Sequence, residues 1–265
     1  MKYLTLKNVS FSYDKSHKAV DGVSLDFSLG ESVAIIGQNG AGKTTTVKMM
    51  NGLIRPNTGK IFINGKDTSS ESVADLSHHV GYVFQNPDEQ IFQDSVRKEI
   101  EFSLKRKNIA ESEITKRVND AAKLCELTDK LDEHPYDLPY SQRKFVTIAS
   151  IIAMNPEIMI FDEPTAGQDH HSILLLERII KTLQKQNKLV ITITHDMTFV
   201  ANNFKRVIVF AKAHKQKDGT PNEIFSDTAL LTMSKLEPPM IGKLAQKLGF
   251  KNIFTIDKLL ETYND

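Results

Sequence analysis

The chain has 265 residues, 40% of them hydrophobic and 25% charged, with a formal net charge of +1. That length holds one large α/β domain, or a core domain with smaller additions, and the near-neutral balance excludes a broadly basic nucleic-acid-binding surface, so affinity for phosphate has to be local. A single cysteine, Cys125, excludes an internal disulfide, no apolar run approaches the ~20 residues of a membrane-spanning helix, and MKYLTLKNVS lacks a signal-peptide core, so the expectation is a cytoplasmic protein that reaches any membrane through partners.

Short β-rich runs recur at YLTLKNV, SVAIIG, KIFING, VGYVF, IMIFDE, LVITITH and RVIVF, separated mostly by polar or helix-favouring sequence. This alternation predicts α/β layering around a largely parallel, buried sheet. SVAIIG is nearly unbroken apolar sequence and runs into GQNGAGKT, Gly37 to Thr44, ahead of the helix-favouring TTTVKMMNGL. A strand, then G-x-x-x-x-G-K-[ST], then a helix is the context of a phosphate-binding P-loop. Gly37, Gly40 and Gly42 let the backbone approach phosphate oxygens, Gln38, Asn39 and Ala41 complete the loop, and the helix N-terminus adds its positive end. Lys43 would reach the β- and γ-phosphates, the Thr44 hydroxyl would bind Mg²⁺, and Thr45 would donate to phosphate, which makes ATP and Mg²⁺ the expected ligands.

After VGYVF comes Gln85, a neutral amide able to touch both Mg²⁺ and water, and Pro87 then opens a region of different character. There the charged, helix-favouring SVRKEIEFSLKRKN and ESEITKRVNDAAKLCELTDKL predict an inserted helical subdomain. IMIFDEP sets Asp162 and Glu163 directly after an apolar strand, at the edge where ligands bind a parallel sheet. Asp162 is placed to hold Mg²⁺, and Glu163 to polarise the attacking water as general base. LVITITHD puts His195 at another strand end, where a neutral imidazole can hydrogen-bond the γ-phosphate or that water. Beyond about Ala213 the chain turns polar, passes through DGTPNE and LEPPM, and ends in two short helical candidates within MIGKLAQKLGF and IDKLLETYND. The expected organisation is a nucleotide-binding α/β core over 1–87 and 156–212, the insert over 88–155 and a C-terminal extension over 213–265.

Taken in order, FSYD, GQNGAGKTTT, FQNP, LPYSQRK, IMIFDEPTAGQD and ITHD resemble the A-loop, Walker A, Q-loop, signature, Walker B with D-loop, and H-loop of ABC ATPases, over residues 1 to about 220. The order and spacing of six motifs make the resemblance specific. It implies a P-loop ATPase core of the ABC type with an inserted helical subdomain, and ATP hydrolysis that drives membrane-embedded partner subunits from the cytoplasmic face of the membrane. It also implies that Tyr13 stacks on adenine, a role suited to an aromatic ring, and that Asp169 reaches across a dimer interface to the partner's nucleotide. FQNPDEQIF and the tail LEPPMIGKLAQKLG are similar to the ATPases of energy-coupling factor importers, which take up vitamins or cobalt and nickel ions. The hydrophobic and acidic residues just after Gln85, especially Asp88, Gln90, Ile91 and Phe92, are expected to form part of a groove for a partner's cytoplasmic helix.

The signature departs from the family's LSGGQ: here it reads Leu138-Pro139-Tyr140-Ser141-Gln142. In the family this segment caps the γ-phosphate bound to the opposite subunit through a serine hydroxyl, glycine N–H groups and a helix N-terminus. Proline has no N–H and tyrosine is bulky where close approach is needed, although Ser141 can partly substitute. In the D-loop, Gln168 precedes Asp169 where the family commonly has leucine. Because LPYSQ would serve the partner's nucleotide, the expected companion is a second ABC ATPase subunit of different sequence with a more regular signature. Two other readings stand beside transport. A mainly nucleotide-binding, low-turnover half of a heterodimer is favoured by the altered signature and opposed by Glu163 and His195. A soluble, non-transport ABC protein is opposed by the single cassette and the near-neutral charge, and no nucleic-acid partner is expected.

Overall fold

The computed structural model describes residues 2–14, 17–106 and 109–264; Lys107, Asn108 and Asp265, the ends of two predicted helical runs, lie outside them. The strands are β1 (Lys2–Ser12), β2 (Lys18–Ser28), β3 (Ser32–Gly37), β4 (Thr58–Ile63), β5 (Lys66–Asp67), β6 (Val80–Val83), β7 (Ile158–Asp162), β8 (Leu189–Ile193), β9 (Arg206–Ala211) and β10 (His214–Gly219). The helices are α1 (Lys43–Met50), α2 (Val73–Leu76), α3 (Val96–Glu101), α4 (Glu111–Leu124), α5 (Tyr140–Met154), α6 (His170–Lys185), α7 (Met197–Asn203), α8 (Pro221–Phe225), α9 (Thr228–Ser234), α10 (Met240–Lys247) and α11 (Ile256–Asn264). Every predicted apolar run contains a strand. None of the helices among the described residues is long and apolar enough to cross a membrane.

The chain divides into two compact units, one of Met1–Ser28, Ser32–Ser70 and Ile191–Asp265, the other of Leu29–Glu31 and Glu71–Val190. In the first, β1 pairs antiparallel with β2 on one side and β4 on the other, and β5 extends β4. Leu4, Leu6 and Val9 of β1 and Val23, Leu25 and Phe27 of β2 are buried, the half-buried pattern of a sheet with one covered face. The same unit pairs β3 parallel with β9, and β10 antiparallel on β9. All six residues of β3 are buried, as expected for a strand covered on both faces. Its C-terminal part begins with a capping box: the Thr220 hydroxyl accepts from the Glu223 N–H, the Glu223 carboxylate accepts from the Thr220 N–H, and Pro221 opens α8. Further on, Met240, Leu244 and Leu248 around α10 and Ile256, Leu260 and Tyr263 on α11 stay exposed.

The second unit contains the predicted insert together with β6, β7 and α6. β6 and β7 are parallel, with Val83 opposite Phe161, and every residue of both is buried. α4 buries Ile114, Val118, Ala121 and Ala122, an i, i+4, i+7, i+8 stripe. α5 buries nearly everything from Lys144 to Ala153 and ends at Asn155, whose left-handed backbone caps the helix ahead of Pro156. β8 carries the chain from this unit back to the first.

Candidate functional site

In the first unit the loop from Gly37 to Gly42 joins β3 to α1. A Cβ on Gly37 would come within 2.2 Å of the Phe210 carbonyl oxygen in β9, and one on Gly42, at φ +100°, within 2.4 Å of the Ala19 carbonyl. These two positions need glycine for space as well as for backbone freedom. Asn39 and Gly40 form the exposed tip, Ala41 is buried and donates its N–H to the Gln38 carbonyl at 3.2 Å, and Thr44 is half-buried. The Lys43 ammonium is buried, donates to the carbonyls of Gly37 at 2.6 Å and Gln38 at 3.0 Å, and lies 3.4 Å from His195 Nε2. Lys43, expected to reach the β- and γ-phosphates, and His195, expected to meet the γ-phosphate or the attacking water, therefore lie together. Tyr13 stands just past β1, 66% exposed, with its hydroxyl 3.3 Å from Thr45 Oγ1 and its ring edge-on to Phe11.

In the second unit Asp162 ends β7, and its buried carboxylate accepts a hydrogen bond from the Tyr82 hydroxyl at 2.6 Å. Glu163 follows with a left-handed backbone, φ +48°. Gln85 has an exposed side chain, but its backbone is held: the Lys144 ammonium donates to the carbonyls of Phe84, at 3.1 Å, and Gln85. Burial pushes the Lys144 amine down to about 8, against the opposing pull of Asp162 and Glu163.

Leu138 is buried, Pro139 precedes α5 without a side-chain cap, and Ser141 and Gln142 are half-buried. Tyr140 is 42% exposed and leans on the D-loop, since a Cβ on Gly167 would meet its ring at 3.2 Å. Both amide atoms of Gln168 are buried without a hydrogen-bond partner. Asp169 caps α6 by accepting the Ser172 N–H at 2.8 Å, and that bond lowers its carboxyl below the usual range. The four residues expected in a partner groove separate. Phe92 is 74% exposed, Ile91 is buried, Gln90 folds back to accept from the Phe84 N–H and donate to the Tyr82 carbonyl, and Asp88 pairs with Arg143 at 3.3 Å. The buried Glu99 carboxylate accepts from the N–H groups of Phe92 and Gln93 at 2.8 and 2.9 Å, fixing the loop that presents Phe92.

Tyr82, Glu99, Arg143 and Lys144 escaped the sequence reading. For Lys144 a signal existed: a lysine heading the mostly apolar FVTIASIIAM. Tyr82 and Arg143 bind Asp162 and Asp88, 80 and 55 residues away, which only folding brings near, and Glu99 bonds backbone N–H groups, which side-chain patterns do not mark.

The family model for ABC transporters matches residues 20–166. An energy-coupling factor transporter ATP-binding protein, EcfA, of Malacoplasma penetrans is 40% identical over 261 residues, covering 97% of this chain and 91% of that protein. A putative ABC transporter ATP-binding protein of Methanosarcina mazei is 39% identical over 253 residues, 94% of this chain and 43% of the relative. The chain spans less than half the length of several curated relatives it matches. The solved structure of cbiO1 from Clostridium perfringens, described as part of the ABC transporter complex cbiONQ, superimposes with a TM-score of 0.80 at 31% identity, covering 93% of this chain and all of that one. With its P-loop, its Asp162-Glu163 pair and matches of this extent, the chain belongs to the ABC transporter ATP-binding protein family, with the P-loop ATPase fold of that family.

Proposed function

We propose that the chain is an ATP-binding and ATP-hydrolysing subunit powering an ABC importer of the energy-coupling factor type, for vitamins or metal ions. The observation that carries the ATPase reading is the meeting of Lys43 and His195 over the carbonyls of the phosphate loop. Tyr13 stacks on adenine, the backbone from Gly37 to Thr45 cradles the phosphates, and Lys43 neutralises the β- and γ-phosphates. Thr44, Gln85 and Asp162 offer a hydroxyl, an amide oxygen and a carboxylate, hard donors of the kind Mg²⁺ takes together with phosphate oxygens. When bound, Mg²⁺ supplies neutralising charge to those phosphates. Glu163 accepts a proton from the attacking water, whose oxygen forms the new bond to γ-phosphorus as the bond to the ADP oxygen breaks, and His195 holds the γ-phosphate.

Leu138 to Gln142 and Asp169 act on the nucleotide bound to a companion ATPase subunit, and the exposed apolar residues of α10 and α11 support a protein partner for this end of the chain. Phe92 forms the exposed part of the groove for a membrane subunit's helix, with the half-buried Asp88 beside it and Gln90 and Ile91 shaping it from beneath. The expected site of action is the cytoplasmic face of a membrane, reached through those subunits. The test is Glu163→Gln in the assembled complex. ATP affinity is retained while hydrolysis falls by about 10²–10⁴; undiminished hydrolysis would dismiss Glu163 as the base.

A further inference from the structure

Arg143 and Lys144 follow the signature segment directly, in the first turns of α5, and both reach back to the chain that leaves β6. Val83 is the last residue of β6 paired with β7. Beyond it the carbonyls of Phe84 and Gln85 turn to the Lys144 ammonium, while the Phe84 N–H donates to Gln90 Oε1 at 3.2 Å. Arg143 takes the other end: its guanidinium reaches Asp88 Oδ1 at 3.3 Å and donates to the carbonyls of Tyr136 at 2.9 Å and Leu138 at 3.0 Å. The backbone that carries Gln85 and the start of the signature helix are thus tied together at two points.

Lys144 is an expensive way to fill this position. It is fully buried, and its neighbours along the helix, Phe145, Val146 and Ile148, show that apolar side chains pack here. A buried ammonium carries a large desolvation cost, and apolar side chains of similar volume in place of buried charged groups are commonly neutral or stabilising by comparison. What methionine or leucine cannot do is bind two carbonyls. We propose that Lys144 is a positioning residue for ATP hydrolysis: its ammonium fixes the backbone from which Gln85 acts and couples that backbone to the signature helix. This rests on the ATPase function proposed for the chain, and Lys144 touches no reacting atom itself.

The test uses the assembled transporter with its native companion subunits, comparing Lys144→Met, Lys144→Leu and Lys144→Gln. Met and Leu fill the space without donating, whereas the Gln amide still offers N–H groups to a carbonyl but carries no charge. With the tether lost, kcat falls about 10- to 100-fold, the size expected of a misplaced catalytic group, while KM for ATP stays within about threefold. Lys144→Gln recovers kcat to within about threefold of wild type. Lys144→Met turning over like wild type overturns the inference. So does equal impairment of Met and Gln, which assigns the effect to the charge, and so does failure of both apolar variants to assemble, which makes Lys144 purely structural. A wild-type complex that hydrolyses no ATP removes the ATPase function and this role with it. An active wild type with an unaffected methionine variant removes this role alone.

Discussion

Gly37 and Gly40 sit in the same loop and answer substitution differently. A methyl group on Gly37 meets a backbone carbonyl of β9, which cannot move without opening the parallel pair, whereas one on Gly40 meets nothing within 4 Å. Gly40→Ala therefore bears only the strain of φ +76°, about 1–2 kcal/mol, and Gly37→Ala adds an overpacking cost of about 1–3 kcal/mol. Equal loss of stability on chemical denaturation would contradict the geometry. Cys125 gives a second residue-level test. Burial pushes its thiol well above the ordinary range, so at pH 8 it stays protonated and enclosed. An aromatic disulfide reagent should leave the native protein unmodified and label the chain stoichiometrically in guanidinium; fast labelling of native protein would refute this.

At the scale of elements, Asp169 serves both as the proposed D-loop contact and as the N-cap of α6. Asp169→Ala removes both and should cost about 1 kcal/mol of stability through the cap alone. Asp169→Asn keeps a side-chain acceptor, so it should melt close to wild type while lowering ATPase in the assembled pair. If Asn and Ala destabilise alike, the cap is not the source of the loss. The same scale shows what could be read in advance. β3 and β7 are unbroken apolar runs and announce themselves. β2 does not: KAVDGVSLDFS is interrupted by Asp21 and by Gly22 at φ +62°, and its pairing with β1 shifts register repeatedly. β10, HKQKDG, has no apolar residue and exists because β9 offers it an edge. The capping box of α8 was written in TPNE and could have been read. The P-loop and the Asp162-Glu163 pair were legible because each is a run of neighbouring residues. The bonds Tyr82 to Asp162 and Lys144 to Gln85 join positions 80 and 59 residues apart, which periodicity cannot foresee.

For the whole molecule, the altered signature leads to a prediction about assembly. On the proposed function, Lys43, Asp162, Glu163 and His195 serve the nucleotide bound here, while LPYSQ serves that of the proposed companion. Mixing this chain with the proposed companion subunit should give an ATPase far faster than this chain alone, because on that proposal a homodimer would set Pro139 and Tyr140 over both nucleotides, and one lost transition-state donor commonly costs about 10²–10³ in rate. Turnover by the isolated chain equal to that of the native complex would make LPYSQ a working variant. The left-handed backbone of Glu163 bears on the molecule as a whole too, since a residue with a long side chain holds φ +48° at a cost of about 1 kcal/mol or more. Asparagine tolerates that conformation better, so Glu163→Asn should melt about 2–4 °C above wild type while losing turnover. On the proposed role, heat resistance and catalysis pull this one position in opposite directions: a lineage selected only to survive heating would drift away from glutamate here, and one selected for hydrolysis would keep it.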